Sequence, residues 1–566
     1  MAKATHFDGK AALRAGAIAG VTALLICLVG MVAAFGKRNL IGGAVRLSVG
    51  HTLFFLNMVL AGYLALRRAQ HREPVLQVLG GAMAGLIASA MVAVLVVIDL
   101  PEKVNLRAVL INASPDLYAL LTFGQAPLVG LGILVLSGTF VAALTTGTLI
   151  LPPRFRRAIS LGVTVLLLVG LLQDLLKVMF TGWGALGNLF LWMFEPAGGL
   201  SLVAALTVLI VAGGLNLFFS YYAAGTRQQL RAWIASQSPQ GRLGIRAGSI
   251  AFLGLVLLSV PFVVGRYPSE VLNTVGLFAL MGLGLNIVVG FAGLLDLGYV
   301  AFFAIGAYTM GVLTSPEISP LAHPLTFWEA LPFSLLAALL SGVILGIPVL
   351  NTRGDYLAIV TLGFGEIVRL LFLSDWLRPY VGGAQGIQLI APAKIGDLLL
   401  TQPRELYYLI LVSCLIVVFV SSRLKNSRLG RAWMAVREDE DVAQAMGIEL
   451  VSTKLLAFAT GATFAGLSGA IFATKLGSIY PHSFQLLYSI YVLCLLIVGG
   501  MGNVPGVLVG SLLLIGLPEL LREFSEYRML VYGVALVFMM LTRPEGFLPD
   551  RRVRREVRAE VEENSA

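Results

Sequence analysis

Long apolar runs alternate with short polar loops along the whole chain, and many of the runs are close to 20 residues long. A helix of ~20 apolar residues crosses the hydrocarbon core of a bilayer and satisfies its own backbone hydrogen bonds. The short alternating segments typical of a transmembrane β-barrel are not seen in the sequence. The pattern therefore predicts an all-α fold, a polytopic transmembrane helical bundle.

About sixteen apolar segments can be counted, and several are shorter than a full crossing, so sixteen is an upper estimate of the spans. They are roughly residues 15–36, 51–66, 76–100, 127–151, 158–180, 200–223, 247–266, 271–292, 296–314, 329–350, 356–374, 406–421, 454–474, 488–500, 506–520 and 529–542. The shorter segments predict short or discontinuous helices inside the bundle.

A polar stretch rich in Gln, Ser, Pro and Arg, Thr226–Gly244, separates the apolar runs into two groups. We take residues 1–245 as an amino-terminal transmembrane extension of about six helices and residues 246–548 as the main membrane domain. Residues 549–566 form a charged tail of alternating basic and acidic residues. The extension carries no motif that assigns it a role.

Charge distribution predicts the orientation. The chain is 58% apolar and 12% charged, with a net charge of +10, and its Lys and Arg residues cluster in short loops. Such loops face the cytoplasm in membrane proteins, so the charge is a topology signal and not a nucleic-acid footprint. The 421–454 segment and the carboxyl-terminal tail then lie on the cytoplasmic side. Lys37, Arg38 and Arg46 are the exceptions, because alternation of the spans places them outside.

Catalytic chemistry has no support in the sequence. No Gly-x-x-x-x-Gly-Lys-Ser/Thr loop is found, the five histidines are scattered without metal-ligand spacing, and the three cysteines lie inside apolar runs. We expect no catalytic residue, no metal and no cofactor. The glycines of Gly282–Gly293 superficially resemble a dinucleotide loop, but they lie in an apolar span and predict close helix packing.

Charges inside apolar spans are costly, and each is a candidate for function. Asp174 and Lys177 are three residues apart and are predicted to pair structurally, since nothing polar surrounds them. Glu366 and Arg369 have the same spacing, and both a structural pair and a pair that lines a transport pathway remain open.

Breaks in the apolar runs give the second set of candidates. Asn286 and Asp296 flank a glycine break, and Gly499–Gly506 interrupts another run with residues that cannot continue a regular helix. Discontinuous helices at membrane depth are tolerated where they line a cavity or are buried by protein. Small residues at four-residue spacing, as in Gly81/Gly85 and Gly461/Ala465/Gly469, predict closely packed helices.

The most informative segment is Ser427–Ile448, a charged, amphipathic insert between two apolar spans. Such an insert suits a membrane protein that binds a partner on its cytoplasmic side. We predict that arginines offer charged contacts, that Gly430 permits a tight turn and that Gly447 ends the helix. The apolar side is predicted to consist of Ala435, Val436, Val442, Ala443 and Met446.

Several stretches, in this order, resemble the LivM-type permease subunit of bacterial branched-chain amino acid ABC importers. They are Leu283–Gly311, Arg353–Arg369, Gly382–Ile387, Arg428–Ala473 and Gly499–Gly506. The resemblance covers roughly Pro268–Pro549, about half of the chain. It implies an ABC importer permease architecture in the inner membrane.

The resemblance also implies the partners: a second, LivH-like permease, two cytoplasmic ATPase subunits that bind the ATP, and a periplasmic amino-acid-binding protein. The chain itself would then not hydrolyse ATP. The residues expected to couple to the ATPase are Arg428, Gly430, Arg431, Arg437, Glu438, Asp439, Ala443 and Gly447. The candidates for the translocation pathway are Asn286, Asp296, Tyr299, Tyr356, Glu366 and Arg369.

Alternatives remain at this point. The solute is expected to be leucine, isoleucine or valine, and other amino acids, amides or urea are the alternatives. An ion-coupled secondary transporter would use an intramembrane carboxylate such as Glu366, but it has no need of the 427–448 insert. A membrane-embedded enzyme should show convergent His, Asp or Ser residues near one interface, and the sequence has none.

Overall fold

The structure is a computed structural model of the 566-residue chain. It describes residues 9–549 apart from these positions: 44–45, 69–72, 100–109, 111, 197, 237, 321–322, 350–351, 353, 521–532, 534–536, 538 and 540–545. The chain divides into two compact units, Met1–Gly254 and Leu255–Ala566. The predicted span 529–542 and the predicted tail 549–566 fall almost entirely outside the described residues.

The described residues of the first unit are mainly helical and include a short antiparallel strand pair. Its elements are α1 Gly9–Leu28, α2 Met31–Gly36, β1 Asn39–Ile41, β2 Leu47–Ser48, α3 Val49–Arg68, α4 Pro74–Asp99, α5 Pro115–Leu121, α6 Pro127–Ile150, α7 Pro153–Leu171, α8 Gln173–Gly182, α9 Ala185–Leu191, α10 Leu202–Ser236 and α11 Pro239–Val264, which runs past the division. The predicted polar linker is thus mostly helical, and a new helix starts at Pro239, where proline is preferred because its missing N–H is not needed.

Small residues hold the first unit together. Gly81 and Gly85 of α4 face Thr146 and Ala142 of α6, and a Cβ added to Gly85 would lie 2.5 Å from the Ala142 Cβ. The backbones approach closely because neither glycine has a side chain, as the four-residue spacing predicted.

The predicted Asp174–Lys177 pair is wrong. Asp174 accepts a hydrogen bond from Arg38 at 2.6 Å, while the Lys177 ammonium lies 5.5 Å from the centre of the Phe194 ring. The tertiary fold brings Arg38 to Asp174, while Lys177 donates to the Glu195 carbonyl at 3.5 Å. Because Arg38 is neutralised in this way and only 12% of its side chain is exposed, it is not a free loop charge, which accounts for one of the exceptions in the charge pattern.

The second unit contains the two most buried of the candidate spans, Arg266–Phe291 and Leu450–Leu476. Its elements are α12 Arg266–Leu285, a π-helix Asn286–Phe291, α13 Val300–Thr314, α14 Phe327–Val349, α15 Asp355–Leu373, α16 Arg378–Val381, a 3₁₀ turn Gly383–Gln385, β3 Lys394–Ile395, β4 Leu398–Leu399, α17 Pro403–Lys425, α18 Arg428–Glu438, α19 Glu440–Ala445, α20 Leu450–Leu476, a 3₁₀ turn Pro481–Ser483, α21 Leu486–Gly499, α22 Val504–Ser511, a π-helix Leu512–Gly516 and α23 Leu517–Leu520. The strands β3 and β4 form an antiparallel pair.

Helix α20 lies at the centre of this unit, with α12, α13 and α14 packed around it. Its small residues make this possible: a Cβ on Gly461 would lie 2.6 Å from the Val288 side chain, Ala465 is fully buried, and a Cβ on Gly469 would collide with the Phe303 carbonyl. The predicted packing role of these three residues is confirmed.

Twelve helices among the described residues are long and apolar enough to cross a membrane, or thirteen if α7 and α8, bent by 71°, form one span. The polytopic all-α prediction is confirmed, and the number of spans counted over the described residues is below the upper estimate of sixteen. Two of the predicted spans are shorter apolar helices instead: α13 begins at Val300, and the α22–α23 segment begins at Val504, after the turn that contains Gly500 and Gly502.

Candidate functional site: a coupling segment joined to two broken helices

Two helices lose their regular geometry next to each other. Helix α12 changes to the π-helix Asn286–Phe291, and α21 ends at Gly499 before Gly500 and Gly502, both with positive φ, lead into α22. The Asn286 side chain joins them, since its Oδ1 accepts a hydrogen bond from the Gly502 N–H at 2.8 Å. We call the π-helix and the 500–503 turn the paired break.

Asn286, Asp296 and Tyr299 are fully buried around the paired break. The Asp296 Oδ1 accepts from the Gly298 N–H at 2.9 Å, and the Tyr299 hydroxyl donates to the Gly461 carbonyl at 2.7 Å. Among the described residues, none hydrogen-bonds the second Asp296 oxygen. These side chains hold the break against its neighbours in this conformation, and contact with solute stays a prediction for them.

Helix α18 begins directly after α17. The Ser427 hydroxyl accepts from the Gly430 N–H at 3.1 Å and caps the new helix. A Cβ on Gly430 would lie 2.5 Å from the Lys425 carbonyl oxygen and would also collide with the Leu424 carbonyl. The prediction that Gly430 permits a tight turn is therefore wrong, because Gly430 lies within α18. Glycine is needed here because the first turn of α18 packs directly against the last turn of α17.

Helix α19 is capped at both ends. The Asp439 Oδ1 accepts from the N–H groups of Asp441 and Val442 at 2.9 and 3.0 Å, so the carboxylate acts as an N-cap. Gly447 has φ +87°, and the Ile448 N–H donates to the Ala443 carbonyl at 3.1 Å. This is a Schellman motif, and it confirms that Gly447 ends the helix.

The coupling segment, defined here as Arg428–Ala445, is anchored to α20 by its inner face. Trp433 is fully buried and its Nε1 donates to the Thr453 carbonyl at 2.8 Å. Glu440 pairs with the buried Lys454 at 2.8 Å. These contacts tie the amphipathic segment to the first turns of α20.

The predicted apolar side of the segment is divided between two faces. Val436 and Ala443 are buried against the protein, whereas Val442 is 59% exposed and Met446, just after the segment, is 80% exposed. The inclusion of Ala443 among the partner-facing residues is thus not supported by its position, because its small side chain packs inward. Arg428, Arg431 and Glu438 are exposed.

Two cations, Arg437 in the segment and Lys425 at the end of α17 just before it, bind the paired break. Arg437 Nη1 donates to the Gly290 carbonyl at 2.6 Å, and its side-chain stem lies against Gly293. Lys425 Nζ donates to the Gly502 carbonyl at 2.6 Å and lies 5.5 Å from the centre of the Phe291 ring. Arg437 was predicted to contact a partner, but its guanidinium points to the chain's own π-helix. Lys425 was missed, although it lies three residues before the segment.

The remaining pathway candidates lie on α15. Glu366 and Arg369 pair as predicted, with Arg369 Nε 3.1 and 3.0 Å from the two carboxylate oxygens. They face an open cleft, whereas Tyr356, near the start of the helix, is 74% exposed and does not contribute to the cleft's lining. Helix α15 contacts the surroundings of the paired break, since Thr361 Oγ1 accepts from the Leu297 N–H at 3.0 Å.

A bundle of membrane-spanning helices with neighbouring discontinuous elements, joined to an amphipathic segment between spans, defines the class of this protein as a multi-pass membrane transport permease. The comparisons with known proteins agree. The family model described as "Branched-chain amino acid transport system / permease component" matches residues 267–540.

Named relatives give the family. The high-affinity branched-chain amino acid transport system permease protein LivM of Escherichia coli is 41% identical over 325 residues, which cover 53% of this chain and 75% of the relative. A probable LivM of Methanocaldococcus jannaschii is 21% identical (50% and 94% covered), and LivH of Salmonella typhimurium is 23% identical (48% and 91%). No solved structure matches. The chain belongs to the branched-chain amino acid transport permease family.

Proposed function

We propose that the chain is one permease subunit of an ATP-driven, binding-protein-dependent importer of leucine, isoleucine and valine. Its partners would be a LivH-like second permease, two cytoplasmic ATPase subunits that bind ATP and a periplasmic amino-acid-binding protein. The chain would lie in a bacterial inner membrane with its carboxyl end in the cytoplasm. The names of the relatives support the solute, and the arginine-rich loops support the orientation.

One observation carries the ATP-driven part of the proposal: the coupling segment is hydrogen-bonded to the paired break through Arg437. Its outer face offers Val442 and Met446 beside exposed arginines, a mixed surface that suits a cleft on another protein. Movement of an ATPase subunit against this face would be carried to Gly290 and, through Lys425, to Gly502. Such a contact would bias the equilibrium between two conformations of the broken helices.

A second candidate, an ion-coupled secondary transporter, is favoured by one observation. Asp296 is a fully buried carboxyl group, and its Oδ2 receives no hydrogen bond from the described part of the chain. Buried ionisable groups of this kind serve as proton or cation relays in transporters. This alternative requires no ATPase.

Affinity purification of the chain from its native membrane in mild detergent, with mass spectrometry of the bound proteins, separates the two candidates. Recovery of a second permease and of ATPase subunits with phosphate-binding loops supports the importer. Recovery of the chain alone, repeated under gentler extraction, would contradict it and leave the secondary transporter. Uptake of labelled leucine, isoleucine and valine by the purified complex in proteoliposomes then tests the solute.

A further inference from the structure

An open cleft of about 430 Å³ lies between α15 and the start of α21. The α15 wall carries Glu366 and Arg369, and the α21 wall carries Gln485 followed by the aliphatic Leu486, Leu487 and Ile490. Small-molecule sites have volumes of about 300–1,000 Å³ and combine apolar walls with a few polar groups that fix orientation. The cleft has the size and the division of chemistry expected of such a site.

The ion pair in the cleft is unusual for its place in the chain. Glu366 and Arg369 belong to Tyr356–Leu373, a helix long and apolar enough to cross a membrane, yet the Glu366 side chain is 44% exposed. A charged pair exposed to lipid is costly, so intramembrane charges face a water-filled cavity or the interior of an assembly. The pair therefore marks a polar surface on this helix, beside an aliphatic one.

We propose that this cleft binds a zwitterionic aliphatic α-amino acid, an inference that rests on the proposed function. The Glu366 carboxylate would accept hydrogen bonds from the ammonium group, and the Arg369 guanidinium would bind the carboxylate through its planar donors. The side chain of the amino acid would pack on Leu486, Leu487 and Ile490. An exposed pair of this kind contributes little stability, so the solute can separate it and replace each partner with its own opposite charge.

The cleft is connected with the paired break. Gly365, directly before Glu366, packs on Gly298, so that a Cβ on Gly365 would lie 3.1 Å from the Gly298 Cα. Thr361, on the same helix, accepts from the Leu297 N–H. A shift of the 292–299 turn would therefore move α15 and change the cleft, which gives the coupling segment a route to the solute.

Protection from chemical labelling tests the site. Ile490→Cys places a thiol on the aliphatic wall, and Leu487→Cys is a second variant in case the first fails to fold. The labelling rate with a maleimide is measured on the complete complex in membranes, with the unmodified chain as background. L-leucine is expected to slow labelling several-fold, whereas 4-methylpentanoate, which lacks the ammonium group, and 3-methylbutylamine, which lacks the carboxylate, are expected to leave it unchanged.

Matched charge variants complete the test. Glu366→Gln in the Ile490→Cys background should abolish protection by leucine. Glu270→Gln should keep it, because Glu270 is paired with Lys475 at 2.8 Å and is equally exposed, 44%, but lies outside the cleft. Leucine uptake without any protection of the thiol from labelling would contradict the proposed amino acid site but would leave the importer proposal intact. A thiol that is never labelled would also contradict the proposed site, since a second subunit would then cover the cleft. A wild-type complex that imports no aliphatic amino acid would overturn the proposed function and this site with it.

Discussion

Replacing Arg437 with Met removes the guanidinium and keeps most of the side-chain stem. In the structure this deletes the 2.6 Å hydrogen bond to the Gly290 carbonyl, while the stem can still lie against Gly293. We expect the coupling segment of Arg437→Met to fold and to remain anchored by Trp433, because that contact is independent of Arg437. Arg437→Met should be expressed at the level of the unmodified chain, but movement of the coupling segment should be transmitted less well to the paired break.

The size of the effect follows from the contact. A hydrogen bond from a charged donor contributes ~1.5–3 kcal/mol net, and the exposure of Arg437 argues for the lower end, about 1.5 kcal/mol. Since ~1.4 kcal/mol is a factor of ten in an equilibrium constant, the linked conformation should be disfavoured about tenfold. ATP hydrolysis should continue while leucine uptake per ATP falls by a similar factor.

The assay is the ratio of leucine imported to ATP hydrolysed by the purified complex in proteoliposomes. Arg423→Met is the matched control: Arg423 is also exposed, and its guanidinium lies 5.3 Å from the centre of the Phe419 ring on its own helix, without contact to the paired break. An unchanged ratio in Arg437→Met, equal to that of Arg423→Met, would refute the transmission argument.

Three further predictions concern single residues. Glu366→Ala should lower leucine uptake about tenfold at equal protein abundance, because it removes one charge-assisted contact. Uptake at the wild-type rate would contradict a role of Glu366 in transport. Gly430→Glu should separate α18 from α17 and uncouple ATP hydrolysis from uptake, because no Cβ fits beside the Lys425 carbonyl; full coupling would show that the helices can adjust. Trp433→Ala should lower the free energy of unfolding by about 3–5 kcal/mol, because it removes a large buried side chain. Trp433→Phe should lower it by about 1 kcal/mol, because only the hydrogen bond to Thr453 is lost. Equal melting temperatures for the two variants would contradict the proposal that Trp433 anchors the segment.

Features that depend on neighbouring residues were predictable from the sequence. The apolar runs gave the helices, the Gly499–Gly506 break gave the end of α21, and the position of Gly447 gave the end of α19. The pairing of Glu366 with Arg369 followed from their spacing. In each case local geometry decides the outcome, and no distant part of the chain competes with it.

Contacts between distant residues were not predictable. Arg437 is 147 residues from Gly290 and Lys425 is 77 residues from Gly502; Arg437 was predicted to contact a partner, and Lys425 was not singled out. The carbonyls that bind these cations lie where the helices are interrupted, and the sequence predicted those breaks but not which distant cation reaches each of them. The predicted partner of Asp174 was wrong for the same reason, since Arg38 reaches Asp174 from a different part of the chain.

In the described part of the second unit, the π-helices Asn286–Phe291 and Leu512–Gly516 each continue an α-helix, α12 and α22. A π-turn holds one residue more than an α-turn. If that residue moves to another position along the helix, the part in between advances by ~1.5 Å and rotates by about 100°. A helix with this defect changes by whole residues and not by gradual bending. In a permease with two such helices, the side chains near each π-turn would occupy one of two defined positions, one residue apart along the helix.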